Sequence, residues 1–238
     1  MILRRDFLIL AGSAIVLSRG AWAAERVPTM LDHLLLGCSD LDQGIEFVEK
    51  YTGVRPAMGS VHPGRGTRNA LVALDKGRYL EVIAPDPQQK EIPKVGAGLL
   101  GELKQLEAPR LVEWAVRTLY IEASAERLRK YGVAFHGPTP GSRARPDGRM
   151  LHWTTLNLDD NRDSLLPFLI EWGADSVHPS ADAPTGCMLE SFAVAGPNPK
   201  ELSAEFDRLG IEVEVANGTT PHRRARIVGL GGEMNLGE

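Results

Sequence analysis

One short pattern, an amphipathic helix running through a glycine into a strand, occurs three times in this chain. It reads EFVEKYTGV from Glu46, ERLRKYGV from Glu126 and AEFDRLGIEV from Ala204. Repeats spaced ~50–60 residues apart are too few and too long for a solenoid. They are better suited to paired units that bury one sheet face under their helices.

The first unit opens with the apolar run 31–37. Ser39 is the expected helix cap, and Asp40 and Asp42 lie in the first turn, where carboxylates complement the helix dipole. Leu41, Ile45 and Val48 recur at helical spacing. Gly53 ends the helix and Val54 begins a strand. Residues 69–74 and 78–83 flank Asp75-Lys76-Gly77, a hairpin signal. The order is β-α-β-β-β. A second unit follows, with strands at 112–118, from 132, at 150–158 and at 168–172, and a helix at 124–131. A third has a strand at 188–194, a helix from Asn198-Pro199 to about Arg208, and strands at 211–215 and 224–230. The expected fold class is α+β: paired βαβββ modules in a cup-shaped mixed sheet with flanking helices, plus a third, partial module.

The remaining constraints are largely exclusions. A net charge of −4 carries no electrostatic footprint for nucleic acid. Two cysteines, Cys38 and Cys187, allow at most one bridge and read equally as two small buried hydrophobes. The loop 59–69 contains Gly64-Arg65-Gly66, but a strand follows it where a phosphate cradle needs a helix, so a tight functional loop is expected.

Residues 1–23 read as an address. Arg4 and Arg5 precede Phe7-Leu8, the apolar run 8–17 is about half of what spans a bilayer, and Ala21-Trp22-Ala23 is a cleavage signal. The segment resembles a bacterial twin-arginine signal, although Leu3 and Ile9 depart from that pattern. The resemblance implies a cleaved signal peptide, no stable membrane anchor, and a folded protein delivered to the periplasm.

The stretch 31–180 also resembles the glyoxalase-like branch of the vicinal oxygen chelate superfamily. LDHL at 31–34, HPGRGTRNAL at 62–71, YLEVIAPD at 79–86, and PFLIEW at 167–172 with His178-Pro179-Ser180 carry the match. The resemblance implies a glyoxalase-like domain at 30–180, with modules at 30–87 and 111–180 and an additional β-α-β-β unit at 186–236. It further implies an enzyme of lyase or isomerase type that binds a divalent metal and acts on a small, oxygen-rich or carbonyl substrate. On this reading His33, Glu81 and Glu171 hold the metal. The second module has Glu113 or Trp114 where a histidine ligand is expected. Were the third unit to close the cup, Glu190 would replace Glu171.

Neutral imidazole and carboxylate suit divalent ions and leave positions open for substrate. Glu171, as a displaceable carboxylate, and His152 are the expected proton carriers. His62, Arg65 and Asn69 form the expected substrate loop. Each of these residues also has a plainer reading. His33 fits a hydrogen-bonded core histidine. Glu81 and Glu171 sit in apolar strands, where a carboxylate is costly unless it is paired, liganded or at an edge. A metal-free protein that sequesters a small molecule is the alternative, and the third unit offers a surface for a homodimer.

Overall fold

The computed structural model of the chain describes residues 27–90, 96–145, 147–161 and 165–237. The expected signal peptide lies outside the described residues. The first module comprises β1 (Leu31–Gly37), α1 (Leu41–Thr52), β2 (Ala57–His62), β3 (Thr67–Leu74) and β4 (Arg78–Pro85). A short helix, α2 (Ala97–Lys104), leads to β5 (Arg110–Arg117), α3 (Ile121–Lys130), β6 (Phe135–Ala144), β7 (Met150–Leu158) and β8 (Phe168–Trp172).

These eight strands form one sheet in the order β2-β3-β4-β1-β5-β8-β7-β6. Each module keeps its first strand innermost, and β1 and β5 join the halves antiparallel. Each first strand pairs in parallel with the last strand of its own module. The mixed sheet curls into a half-barrel with few flanking helices.

Strand alternation sorts the two faces. Leu34, Leu36, Leu80 and Val82 point to the convex side, where Leu41, Ile45 and Val48 of α1 cover them. His33, Leu35, Glu81 and Ile83 face the hollow. The helix cap is Asp40, not Ser39: its carboxylate accepts from the Gln43 N–H at 3.0 Å. The expected strand starts at Val54 and Gly132 move to Ala57 and Phe135; Gly132, at φ +70, still belongs to the turn that ends α3, its N–H donating to Arg129 O. Helix α2 has no counterpart among the sequence expectations; AGLLGELK is short and glycine-rich. It contributes Leu103 to a small cluster with Leu35, Ile83 and Val112.

The third unit does not close the cup. Its strands β9 (Met188–Gly196), β10 (Glu214–Asn217), β11 (His222–Val228) and β12 (Glu233–Leu236) make a separate sheet, ordered β10-β9-β11-β12, with α4 (Pro199–Leu209) between β9 and β10. Glu190 belongs to that sheet and pairs with Arg226 at 2.9 Å, so it is no substitute for Glu171. The second sheet backs onto the convex core through Phe192, whose ring lies 4.8 Å from that of Trp114. The Trp114 Nε1–H donates to the Leu165 carbonyl at 2.8 Å. A turn of the third unit also docks on the end of α1, where the Gly231 N–H donates to Thr52 O at 2.8 Å. Gly53 there has φ +71, and a Cβ on it would lie 2.6 Å from the Gly231 nitrogen, so two constraints select glycine. Cys38 and Cys187 are both buried free thiols. Burial, with Asp40 nearby, pushes the Cys38 thiol up to about 12.

Phe192→Ala should cost about 3–5 kcal/mol. Urea unfolding followed by far- and near-ultraviolet circular dichroism should give one shared transition at lower denaturant. A cost below about 1 kcal/mol would mean that the third unit does not share the core.

Candidate functional site

The hollow of the half-barrel holds a cavity of about 270 Å³. Its floor is read off the register of the central strands. One row runs Tyr79–His33–Ala115–Phe168 across β4, β1, β5 and β8. The next runs Glu81–Leu35–Glu113. His33 and Glu81 are 3% and 7% exposed, so any charge here is largely stripped of water.

A register shift in β1 between Leu31 and His33 puts consecutive side chains to one purpose. Asp32, fully buried, accepts from His33 Nδ1 at 2.7 Å through Oδ1. Its Oδ2 accepts from the Trp172 Nε1–H and from His178 Nε2, each at 3.2 Å, and lies 3.4 Å from Arg117 Nε. His178 is set for this by Ser180, whose hydroxyl lies 2.7 Å from Nδ1. Burial opposes ionisation of Asp32, but the hydrogen bonds from His178 and His33 and their positive character outweigh it. The carboxyl is held well below the ordinary range. With Nδ1 committed to Asp32, His33 turns its Nε2 to the cavity, 3.9 Å from Glu81 Oε2. The ring is stacked on Tyr79, with centroids 4.5 Å apart.

Glu81 is held on its other side. Asn69 Nδ2 donates to Glu81 Oε1 at 2.8 Å and lies 3.2 Å from His62 Nε2. His62 Nδ1 in turn meets Thr67 Oγ1 at 2.8 Å. Burial favours the neutral form of His62 and Arg143 and Arg65 reinforce it; against Glu81's pull, its value falls to about 4. Burial raises Glu81, yet His62, His33, Arg143 and the Asn69 bond together bring it below its ordinary value. Glu113 behaves oppositely. Burial, with Glu102 and Glu81 nearby, raises its carboxyl against the pull of Arg223 and His33. The floor thus carries two carboxyls whose surroundings drive their proton affinities apart.

His33, Glu81, His62 and Arg65 all border the cavity, and Asn69 braces two of them. Two other expected site residues lie elsewhere. Glu171 follows Ile170, which faces the cavity, and alternation turns it to the opposite side. There its Oε2 accepts from the Ile121 N–H at 2.6 Å, at the start of α3, where a carboxylate suits the helix dipole. His152 precedes Trp153 on β7 and is exposed, away from the cavity that Trp153 lines. Asp32 was missed; a carboxylate inside an apolar run is the signal that could have found it. Glu113 stood out only as an occupant of a ligand position.

The expected triad of His33, Glu81 and Glu171 therefore does not assemble. Among the described residues, no three His, Cys, Asp or Glu side chains gather so as to hold a metal ion. The Asn69 amide already serves Glu81 Oε1 and His62 Nε2, and across the cup stand Phe168, Ile170 and Trp172. The side chains in place do not form a metal cage.

A family model and one solved structure agree with this architecture. The model of a family described as a glyoxalase-like domain matches residues 31–210. A hypothetical protein from Staphylococcus aureus is similar in structure at a TM-score of 0.60 and 15% identity, over 87% of this chain and 85% of that one. Methylmalonyl-CoA epimerase from Mycobacterium tuberculosis aligns at 0.42 and 22% identity, over 61% of this chain and 87% of that one. No curated protein matches the sequence.

Two substitutions test the electrostatics. Asp32→Ala leaves His33, His178 and Arg117 without their common anion and should cost about 3–5 kcal/mol at neutral pH. The native Asp32 pKa is depressed, so its contribution is present above its ordinary value of 3.8 and fades as pH falls toward the lower folded value. The gap between variant and parent, read as Tm against pH, should narrow in acid. Glu113 has a raised folded pKa, so its contribution is complete below the ordinary value of 4.5 and lost as pH rises through the folded one. Glu113→Gln should therefore match the parent in acid and melt higher on the alkaline side. Parallel Tm curves would contradict the burial of Glu113.

Proposed function

Since the chain belongs to the glyoxalase-like domain family, we propose that it is an enzyme moving a proton on a small, carbonyl-bearing substrate held in the half-barrel. The observation carrying this reading is the line from buried Asp32, through His33 Nδ1 at 2.7 Å, to an Nε2 that opens on the cavity beside Glu81. In this scheme His33 Nε2 removes a proton from the carbon next to the carbonyl. The resulting imidazolium is stabilised by Asp32 on one side and ionised Glu81 on the other. The electron pair of the broken C–H bond becomes the second bond to the carbonyl carbon, the carbonyl π pair moves onto oxygen, and Glu113, whose surroundings favour its protonated form, supplies a proton there. Return of the proton to another position gives an isomer, and loss of a neighbouring leaving group gives a lyase product. Asn69 acts through Glu81 and His62 as a positioning residue.

Deuterium uptake from D2O, followed by proton NMR over a panel of 2-oxo and 3-oxo acids, tests this. Exchange should be accelerated for at least one member, and His33→Asn should reduce that acceleration by roughly 100-fold or more. Chelator should leave the rate unchanged; a rate abolished by chelator and restored by one divalent ion would instead restore the metal-dependent reading. Acceleration of no panel member, or an unaffected His33→Asn variant, would leave a binding and sequestering protein. Export through the leader at 1–23 is proposed alongside, and the mature protein should begin at Ala24 in a periplasmic fraction.

A further inference from the structure

We propose that the cavity's ligand is a planar-ring carboxylate, its ring against the aromatic wall of the second module and its carboxylate on Arg143. This deepens the proton-transfer reading and rests on it only for the ligand's reactive end. The two modules line the cavity differently. The first supplies His33, His62 and Glu81, with Tyr79 stacked on His33; the second supplies Trp153, Phe168 and Trp172. Trp153 and Trp172 are cross-strand partners with ring centroids 6.1 Å apart, and Phe168 meets His33 edge-on at 5.5 Å. A wall of flat rings favours a flat guest.

The position of the indole is built in. Gly141 pairs with Trp153 across β6 and β7, and a Cβ on Gly141 would lie 2.5 Å from Trp153 Cε2. The absence of a side chain lets the indole lie across the β6 backbone. Two residues along the same face, Arg143 lines the cavity with its guanidinium 5.8 Å from the Trp153 ring centre. Its Nε is buried and has no hydrogen-bond partner among the described residues. A guanidinium that lines a cavity offers its terminal N–H groups to an acceptor there, and a carboxylate meets the planar fork best. The cavity of about 270 Å³ has room for a substituted ring. Such a ligand spans from Arg143 across Trp153 and brings its far end to His33 and Glu81.

The test is binding, so it is independent of turnover. Tryptophan fluorescence of the full chain is titrated with benzoate, benzamide and cyclohexanecarboxylate. Benzoate should bind about tenfold or more tightly than benzamide, which lacks the charge, and several-fold more tightly than cyclohexanecarboxylate, which lacks the flat ring. Arg143→Met should remove the preference for benzoate over benzamide, while Trp153→Leu should weaken both and keep their ratio. The titration and the exchange assay are read separately on the parent, so a failed exchange assay and a failed ring-carboxylate site give different results. Equal affinity for benzoate and benzamide in the parent, or no benzoate binding at all, overturns the proposal. Because the parent protein alone yields these ratios, a variant that fails to fold leaves the test decisive.

Discussion

The site depends on one buried charge. Asp32 is fully enclosed, and an isolated carboxylate there would be prohibitively costly. It is tolerated because Trp172, His178, His33 and Arg117 surround it. These partners come from β8, the loop after it, β1 and β5, so the same contacts that satisfy the charge also bind the two modules across their central seam. The orientation of His33 follows from this: its Nδ1 is committed to the seam, and Nε2 is left for the cavity.

Around that seam the two halves have diverged in chemistry while keeping one topology. The first module presents imidazoles and a carboxylate braced by Asn69; the second presents aromatic rings and Arg143. Glu81 and Glu113 sit on the same floor row, on either side of Leu35, and are driven in opposite directions. Two imidazoles, a guanidinium and an amide surround the first, whereas burial beside other carboxylates dominates the second. A floor with one carboxyl of lowered and one of raised proton affinity is suited to taking a proton at one point and giving one at another.

Much of this was legible in local patterns. The β-α-β-β-β order, the hairpin at Asp75–Gly77 and the helix stop at Gly53 depend on neighbours a few residues away, and each is present in the folded chain. His33, Glu81, His62 and Arg65 stood out because polar groups in apolar strands or glycine loops need an explanation, and they border one cavity. Helix α2 escaped notice because its two glycines and single turn of apolar residues give little periodic signal.

The sequence alone determined the β-α-β-β-β order of the paired modules and marked His33, Glu81, His62 and Arg65 as residues the fold must account for. Only the tertiary structure decided which way those residues point and which groups they meet. Ile170 faces the cavity and Glu171 the start of α3, a one-residue difference of phase that is set by pairing with distant strands. Asp32 finds its partners 140 and 146 residues away, at Trp172 and His178. Closing the half-barrel makes those contacts, and no local pattern encodes them.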